Sequence, residues 1–323
     1  MTDGIVMRAF RPPGDFELAA ELIRTCHRAD HVDWLPDRER LAHEWVPNPT
    51  FDSGTDARIA IAEDGAVGLV KVDWRIRETT VTHEIELWVR PDARRHGIGN
   101  TLLDWAEAHA RDATTAGLAG PTDVPHVLVG WAESHIAGPA EFAAKRGYRP
   151  ERFGFEMVRA VAAPIEPSPL PDRLEVRPVE PSQLRQIWDA DVEAFRDHRD
   201  PAVRIEADYE RWMTDPTLDT SLWQVAWDGA EVAGSVLTSI DAAENARLGV
   251  SRAWLDHISV RRPWRRQGVA AALITSTLGI LRDRGIEEAA LGVDAENPTG
   301  ALRLYERLGF VRHKSGIGYR RPL

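Results

Sequence analysis

Val260-Arg261-Arg262-Pro263-Trp264-Arg265-Arg266-Gln267-Gly268-Val269-Ala270 lies without a gap on Val89-Arg90-Pro91-Asp92-Ala93-Arg94-Arg95-His96-Gly97-Ile98-Gly99. In both places a strand-like run comes before (Ala253–Val260; Glu84–Val89) and a helical run comes after. The later helix sets Leu273, Ile274, Leu278 and Leu281 on one face, a stripe suited to packing on a sheet. Repetition of a whole strand–loop–helix unit by chance is improbable, so the chain reads as a tandem repeat.

The loop itself has a chemical logic. A helix start leaves backbone N–H groups without partners, and its dipole favours negative charge. Small residues at Gly268 and Ala270, and at Gly97 and Gly99, let the main chain come close to a pyrophosphate. Arg265 and Arg266, like Arg94 and Arg95, can supply positive charge. A Walker A loop would need Gly-x-x-x-x-Gly-Lys-Ser/Thr, which neither half has. A dinucleotide fingerprint would need a third glycine and would open a βαβ domain, whereas these loops follow a hairpin.

Working outward, the two halves share one order of elements. The first opens with a short strand (Val6–Phe10), a helical stretch (Phe16–His27) and a hairpin of Arg58–Ala62 and Ala66–Trp74 around Asp64-Gly65. The second opens with Leu174–Pro178 and a helix from Ser182. Its hairpin of Leu222–Trp227 and Glu231–Ile240 turns at Asp228-Gly229. Asp-Gly between apolar runs is a strong hairpin signal. Between the halves, the stretch from Ala160 to Asp172 holds four prolines and reads as a stiff, extended linker. The expected organisation is 1–160, a linker at 161–173, and 174–323.

Together these features resemble the GNAT superfamily, with its Arg/Gln-x-x-Gly-x-Gly/Ala loop. The resemblance extends over Leu291-Gly292-Val293-Asp294-Ala295-Glu296-Asn297 and on to Tyr305-Glu306-Arg307-Leu308-Gly309-Phe310, a strand, an asparagine and a short helix ending in Tyr-x-x-x-Gly-Phe. It implies an α/β fold of two tandem acyl-CoA N-acyltransferase domains, each a mixed, mostly antiparallel sheet flanked by helices. It also implies acetyl-CoA as co-substrate, with no metal. In the second half the binding residues would be Ile258, Ser259, Val260, Arg265, Arg266, Gln267, Gly268, Val269, Ala270 and Asn297. In the first they would be Val89, Arg94, Arg95, His96, Gly97, Ile98 and Gly99. Asn297 matches the residue that bonds the pantetheine arm, and Tyr305 matches the one that protonates the departing thiolate.

Aligning Gly147-Tyr148 with Gly309-Phe310 sets Ala143 opposite Tyr305 and His135 opposite Asn297. An alanine cannot donate a proton. The expectation is therefore a catalytic second half and a degenerate first half that either binds CoA or only keeps its shape. The layout is similar to that of the mycothiol synthases, and acetylation of a thiol precursor of that kind is an alternative to a general small-molecule amine. A non-catalytic acyl-CoA sensor is a third reading, and Tyr305 and Asn297 argue against it.

The base that takes the amine proton is sought on Ala253–Val260, where Trp254 stands in place of the glutamate some relatives carry. Strict alternation groups Asp256 with Trp254 and Val260, which favours Asp256. A bulge would swap the faces and favour His257. The segment after the first strand of this half carries Asp189, Asp191, Glu193, His198 and Asp200; such a run reads as a solvated helix face more readily than as an amine-binding wall. His27 and His31 have no third ligand in view and read as surface or lip residues.

Composition bounds the partners. With 43% hydrophobic residues and 12 tryptophans in 323, the chain can build sizeable cores. A net charge of -11 argues against nucleic acid. Cys26 is the single cysteine, so no internal disulfide is expected. The first residues lack the apolar run of a signal peptide, and no run approaches a membrane span. The expectation is a cytoplasmic protein, monomeric or homodimeric, acting on a small-molecule amine, with no nucleic-acid or membrane partner.

Overall fold

The hairpin turns fall where positive φ is needed, with Gly65 at 124° and Gly229 at 60°. The computed structural model describes residues 4–296 and 300–323. Chain order begins with β1 (Val6–Ala9), α1 (Phe16–Asp30), α2 (Arg38–Glu44), α3 (Ser53–Asp56), β2 (Ala57–Ala62), β3 (Gly65–Ile76) and β4 (Val81–Val89). It continues with α4 (Ile98–Thr115), β5 (His126–Glu133), α5 (Ala137–Lys145) and β6 (Arg149–Ala160). The second half supplies β7 (Glu175–Val176), α6 (Leu184–Phe195), α7 (Glu206–Met213), β8 (Gln224–Asp228), β9 (Glu231–Ser239) and α8 (Ala242–Leu248). It closes with β10 (Arg252–Val260), α9 (Val269–Asp283), β11 (Glu288–Asp294), α10 (Ala301–Arg307) and β12 (Val311–Pro322).

Two compact units result, and they depart from the sequence halves at three places. The first takes 1–151 together with 205–215 and 316–323; the second takes 152–204 and 216–315. In the first unit the sheet runs β1-β2-β3-β4-β5, and the C-terminal part of β12 adds to β5, from Gly316↔Glu133 to Pro322↔Val127. In the second unit the order is β7-β8-β9-β10-β11, and β6 adds to β11, from Gly154↔Asp294 to Ala160↔Glu288. Each sheet is antiparallel apart from one parallel pair, β4 with β5 and β10 with β11. The stretch 161–173 carries no regular structure, as its prolines dictate.

Helices cover both faces. In the first unit, α1 buries Phe16, Ala19, Ile23 and Cys26 against Trp45, Phe51 and Leu69. On the other face α4 buries Ile98, Leu102, Leu103 and Ala106 against Val70, Val72 and Ile85. In the second unit α6 packs on β9 and β10, while α9 packs on β8, β9 and β10. The predicted stripe Leu273, Ile274, Leu278 and Leu281 is fully buried. Among the described residues no helix is long and apolar enough to cross a membrane.

Candidate active site

Both repeats build one device at the same place. The parallel ladder between β4 and β5 stops at Glu84↔Val129, and that between β10 and β11 stops at Trp254↔Ala290. Past those points the strands no longer pair, so backbone groups that face away from β3 and β9 have lost their ladder partner. An extended polar ligand can take that partner's place. Each strand then enters a short turn of helix and a loop in which two residues are left-handed. They are Arg95 (66°) and Gly97 (86°) in the first unit, and Arg266 (60°) and Gly268 (84°) in the second. Gly97 and Gly268 are the residues from which α4 and α9 start. Left-handed residues ahead of a helix start turn successive N–H groups toward one point, an anion-binding concavity.

The two arginines of each loop have different work. Arg94 folds back, its Nε donating to Val89 O (3.0 Å) and its guanidinium forking onto Asp30 at 2.8 and 2.6 Å. Arg265 folds back in a similar way: Nε donates to Val260 O (2.8 Å), one terminal nitrogen to Asp197, the other to Ala194 O (3.0 Å). Hydrogen bonds from Arg262 and Arg265 hold the Asp197 carboxyl far below the usual range. Arg94 and Arg265, expected at a phosphate, thus tie the loop to the helix before it. Arg95 and Arg266 are exposed. His96 and Gln267 are exposed beside them, and Gln267 donates to Pro263 O at 2.9 Å. Ile98 and Val269 are buried helix-start residues, contributing packing and a backbone N–H rather than a side-chain contact.

In the first unit the parted strands open a cleft of about 640 Å³. That lies within the ~300–1,000 Å³ of small-molecule sites. Ile85, Leu87 and Val89 line one side, Gly130 and Ala132 the other, with Arg95, Gly97 and Gly99 at the loop end. Ala143, the counterpart of Tyr305, lines this cleft and offers no acid. His135 is held away, bonded to the Asp30 carbonyl at 2.7 Å. Cys26 reaches the cleft, but burial pushes its thiol up to about 11 and it donates to Val89 O at 3.3 Å.

In the second unit Tyr305 sits on α10, buried, its ring 6.2 Å from that of Phe310. Burial pushes its phenol up to about 12, which keeps the proton on oxygen at neutral pH. Asn297 lies outside the described residues. Ser259 is buried with its Oγ 3.1 Å from Ser235 Oγ, so its side chain is a strand-to-strand tie.

A bulge decides the faces of β10. Its register against β9 slips between Leu255 and His257, so Asp256 is the extra residue. The bulge removes the strict alternation on which Asp256 was favoured, and Asp256 is exposed. His257 turns toward α6, and its Nδ1 lies 2.6 Å from Asp191 Oδ2. Asp191 is buried, not part of a solvated helix face. The signal was in the sequence: Leu184, Ile187, Trp188, Asp191 and Ala194 fall on one helical stripe, and a carboxylate there needs a partner. His27 is likewise no lip residue. It accepts from Trp88 Nε1 (3.0 Å) and donates to Trp34 O (2.6 Å).

Each repeat thus has parted parallel strands, a left-handed loop and a helix, and comparison with known proteins decides the family. The acetyltransferase (GNAT) family profile matches residues 18–119 and 183–310. The chain belongs to the GNAT acetyltransferase family. This GNAT acyltransferase is 30% identical to a mycothiol acetyltransferase of Geodermatophilus obscurus, over 96% of this chain and 95% of that one. It is 28% identical to another from Catenulispora acidiphila, over 98% and 99%. Among solved structures it is similar to a GCN5-related N-acetyltransferase from Sphaerobacter thermophilus, with a TM-score of 0.74 and 27% identity over 100% and 96% of the chains. A tandem GNAT protein of the clavulanic acid biosynthesis pathway shares the fold, with a TM-score of 0.70 and 15% identity over 98% of each. The tandem GNAT architecture read from the two loops is therefore correct.

Proposed function

We propose that the protein moves acetyl from acetyl-CoA to a primary amine of a small molecule by direct transfer, and that the second unit does the work. The observation that carries this reading is Tyr305, a buried phenol held protonated on the second unit, where the first unit has Ala143. The amine attacks the thioester carbonyl while backbone N–H groups near Val260 polarise its oxygen. The C–S bond breaks and Tyr305 gives its proton to the leaving sulfur. Arg266, Gly268, Val269 and Ala270 would receive the pyrophosphate, and Asn297 the pantetheine arm. The first unit would hold a CoA in its cleft around Arg95 and Gly97 without turning it over. The test pairs two variants. Tyr305→Phe should lower turnover by ~10²-fold or more, the usual scale for a general acid. Gly97→Glu should leave acetyl transfer in place. The opposite pattern would mean that the halves are assigned backwards.

A second reading names the acceptor. Relatives that match nearly the whole chain are mycothiol acetyltransferases. That likeness favours a mycothiol-type thiol precursor as the amine. Acetylation of that precursor at a kcat/KM well above that of simple amines would establish it.

A further inference from the structure

Three features meet at the bulge of β10. Asp191 reaches from α6 to His257 Nδ1 at 2.6 Å, while its other oxygen, Oδ1, is buried with no partner among the described residues. The Phe195 ring stands 5.5 Å from the imidazole, and His198 lies 4.7 Å beyond on the same ring. The bulge that exposes Asp256 is what sends His257 inward.

We propose that His257 takes the amine proton at Nε2, and that Asp191 is the positioning residue that fixes its tautomer and offsets the charge it gains. The proposal rests on the acetyl-transfer reading above. With Nδ1–H donated to Asp191, the neutral ring carries its lone pair on Nε2, the form a base requires. The ammonium acceptor passes one proton to Nε2, and the freed nitrogen pair forms the bond to the acetyl carbon. The sulfur leaves with the C–S pair and receives the Tyr305 proton; the acylated nitrogen gives up its second proton, which restores the Tyr305 phenol through solvent, and His257 sheds its proton to solvent. Atoms and charge balance with water alone.

Charge around the ring supports this. Burial disfavours the imidazolium, but Asp191 and, more weakly, Asp256 outweigh it, Arg204 opposing, so His257 titrates above the ordinary histidine range. His198 titrates below the ordinary range, chiefly through burial, with Asp294 and more weakly Asp191 opposing and Arg152 and Arg265 adding to the fall. The two histidines flanking Phe195 are therefore separated, and only His257 has a carboxylate in contact.

The test reads both titration and turnover. Imidazole titration by carbon-13 NMR, with His257 assigned by His257→Gln, should give a lower pKa in Asp191→Asn than in the wild type. Acetyl-CoA consumption is followed at the thioester absorbance with glucosamine and cysteamine as amine probes. There kcat/KM should rise with pH along a limb that moves to lower pH in Asp191→Asn, with a plateau reduced ~10-fold or more and an unchanged KM for acetyl-CoA. His257→Gln should lose the limb and ~10²-fold in rate. Thermal unfolding of each variant checks that it is folded. Wild-type titration and limb in Asp191→Asn, or a wild-type limb in His257→Gln, would overturn the dyad alone. A wild type that consumes acetyl-CoA with neither amine and with no mycothiol-type precursor would overturn the acetyl-transfer reading and the dyad with it.

Discussion

His83 shows how one buried side chain ties stability to pH. Its ring is 1% exposed on β4, with Nε2 3.0 Å from His126 Nδ1 and 3.1 Å from Thr114 Oγ1. The Pro121 carbonyl accepts from His126 Nε2 at 2.8 Å, so His126 Nδ1 is an acceptor and His83 Nε2 must donate. Burial first, and His126 second, push the His83 pKa down to about 4 from 6.5. The unfolded chain therefore takes up this proton at a higher pH than the folded one. Stability from the neutral ring is complete above about 6.5 and is lost as pH falls toward about 4, up to ~3 kcal/mol. Urea unfolding at pH 7.5 and pH 5 should show ~2 kcal/mol of that loss in the wild type and a clearly smaller one in His83→Gln. An equal loss in both proteins would mean that His83 is not the group responsible.

Elements reveal both the reach of the sequence and its edge. Hairpins, loops and helix stripes were legible because each depends on residues a few positions apart: Asp-Gly at a turn, Gly268 at a left-handed helix start, Leu273 and Leu278 on one face. The bulge at Asp256 was legible only as an alternative, because one added residue inverts every later face and β-branched content does not mark the spot. The brace role of Arg94 and Arg265 was not legible. A long side chain beside a glycine loop serves a phosphate or a carboxylate equally well, and only the placement of Asp30 and Asp197 chooses. The helix α7 makes a similar point. It belongs by sequence to the second half, yet packs in the first unit through Asp208, which is 4% exposed and 2.8 Å from Arg75. Asp208 also accepts from the Ile205 N–H at 3.0 Å, closing the helix start. Removing its charge leaves Arg75 with the longer pair to Asp73 at 3.8 Å, and losing a charged hydrogen bond of this kind costs ~1–3 kcal/mol. Asp208→Asn should lower the unfolding free energy of the first unit by that scale, read by urea denaturation. A shift no larger than that of Glu141→Gln, which breaks only exposed pairs with Arg95 and Lys145, would refute the anchoring role.

At the scale of the molecule, repetition hides an exchange of strands. Local patterning says that a segment is a strand but not which neighbour it joins, since pairing is set by contacts far apart in sequence. Thus β6, expected to finish the first half, pairs with β11, and the last residues of the chain pair with β5. The exchanged strand is well fixed in the first unit. Tyr319 is 8% exposed among Leu103, Leu128 and Tyr148; Arg321 meets Glu107 at 2.8 Å, and Arg320 meets Glu151 at 3.0 Å. At Gly316 the chain passes beneath the Trp131 indole so closely that an added Cβ would lie 2.2 Å from the ring. A chain ending at Ser315 should therefore harm the first unit, although the cut falls in the second half. Loss of the Tyr319 ring alone is worth ~3–5 kcal/mol on the scale of aromatic deletions. Small domains hold only ~5–15 kcal/mol in total. Hydrogen exchange should show amides of Val127–Glu133 losing protection, while those of β9 and β10 keep theirs. If protection in β5 survives the truncation, or if the loss falls on β10 and β11 instead, the C-terminal strand does not complete the first unit.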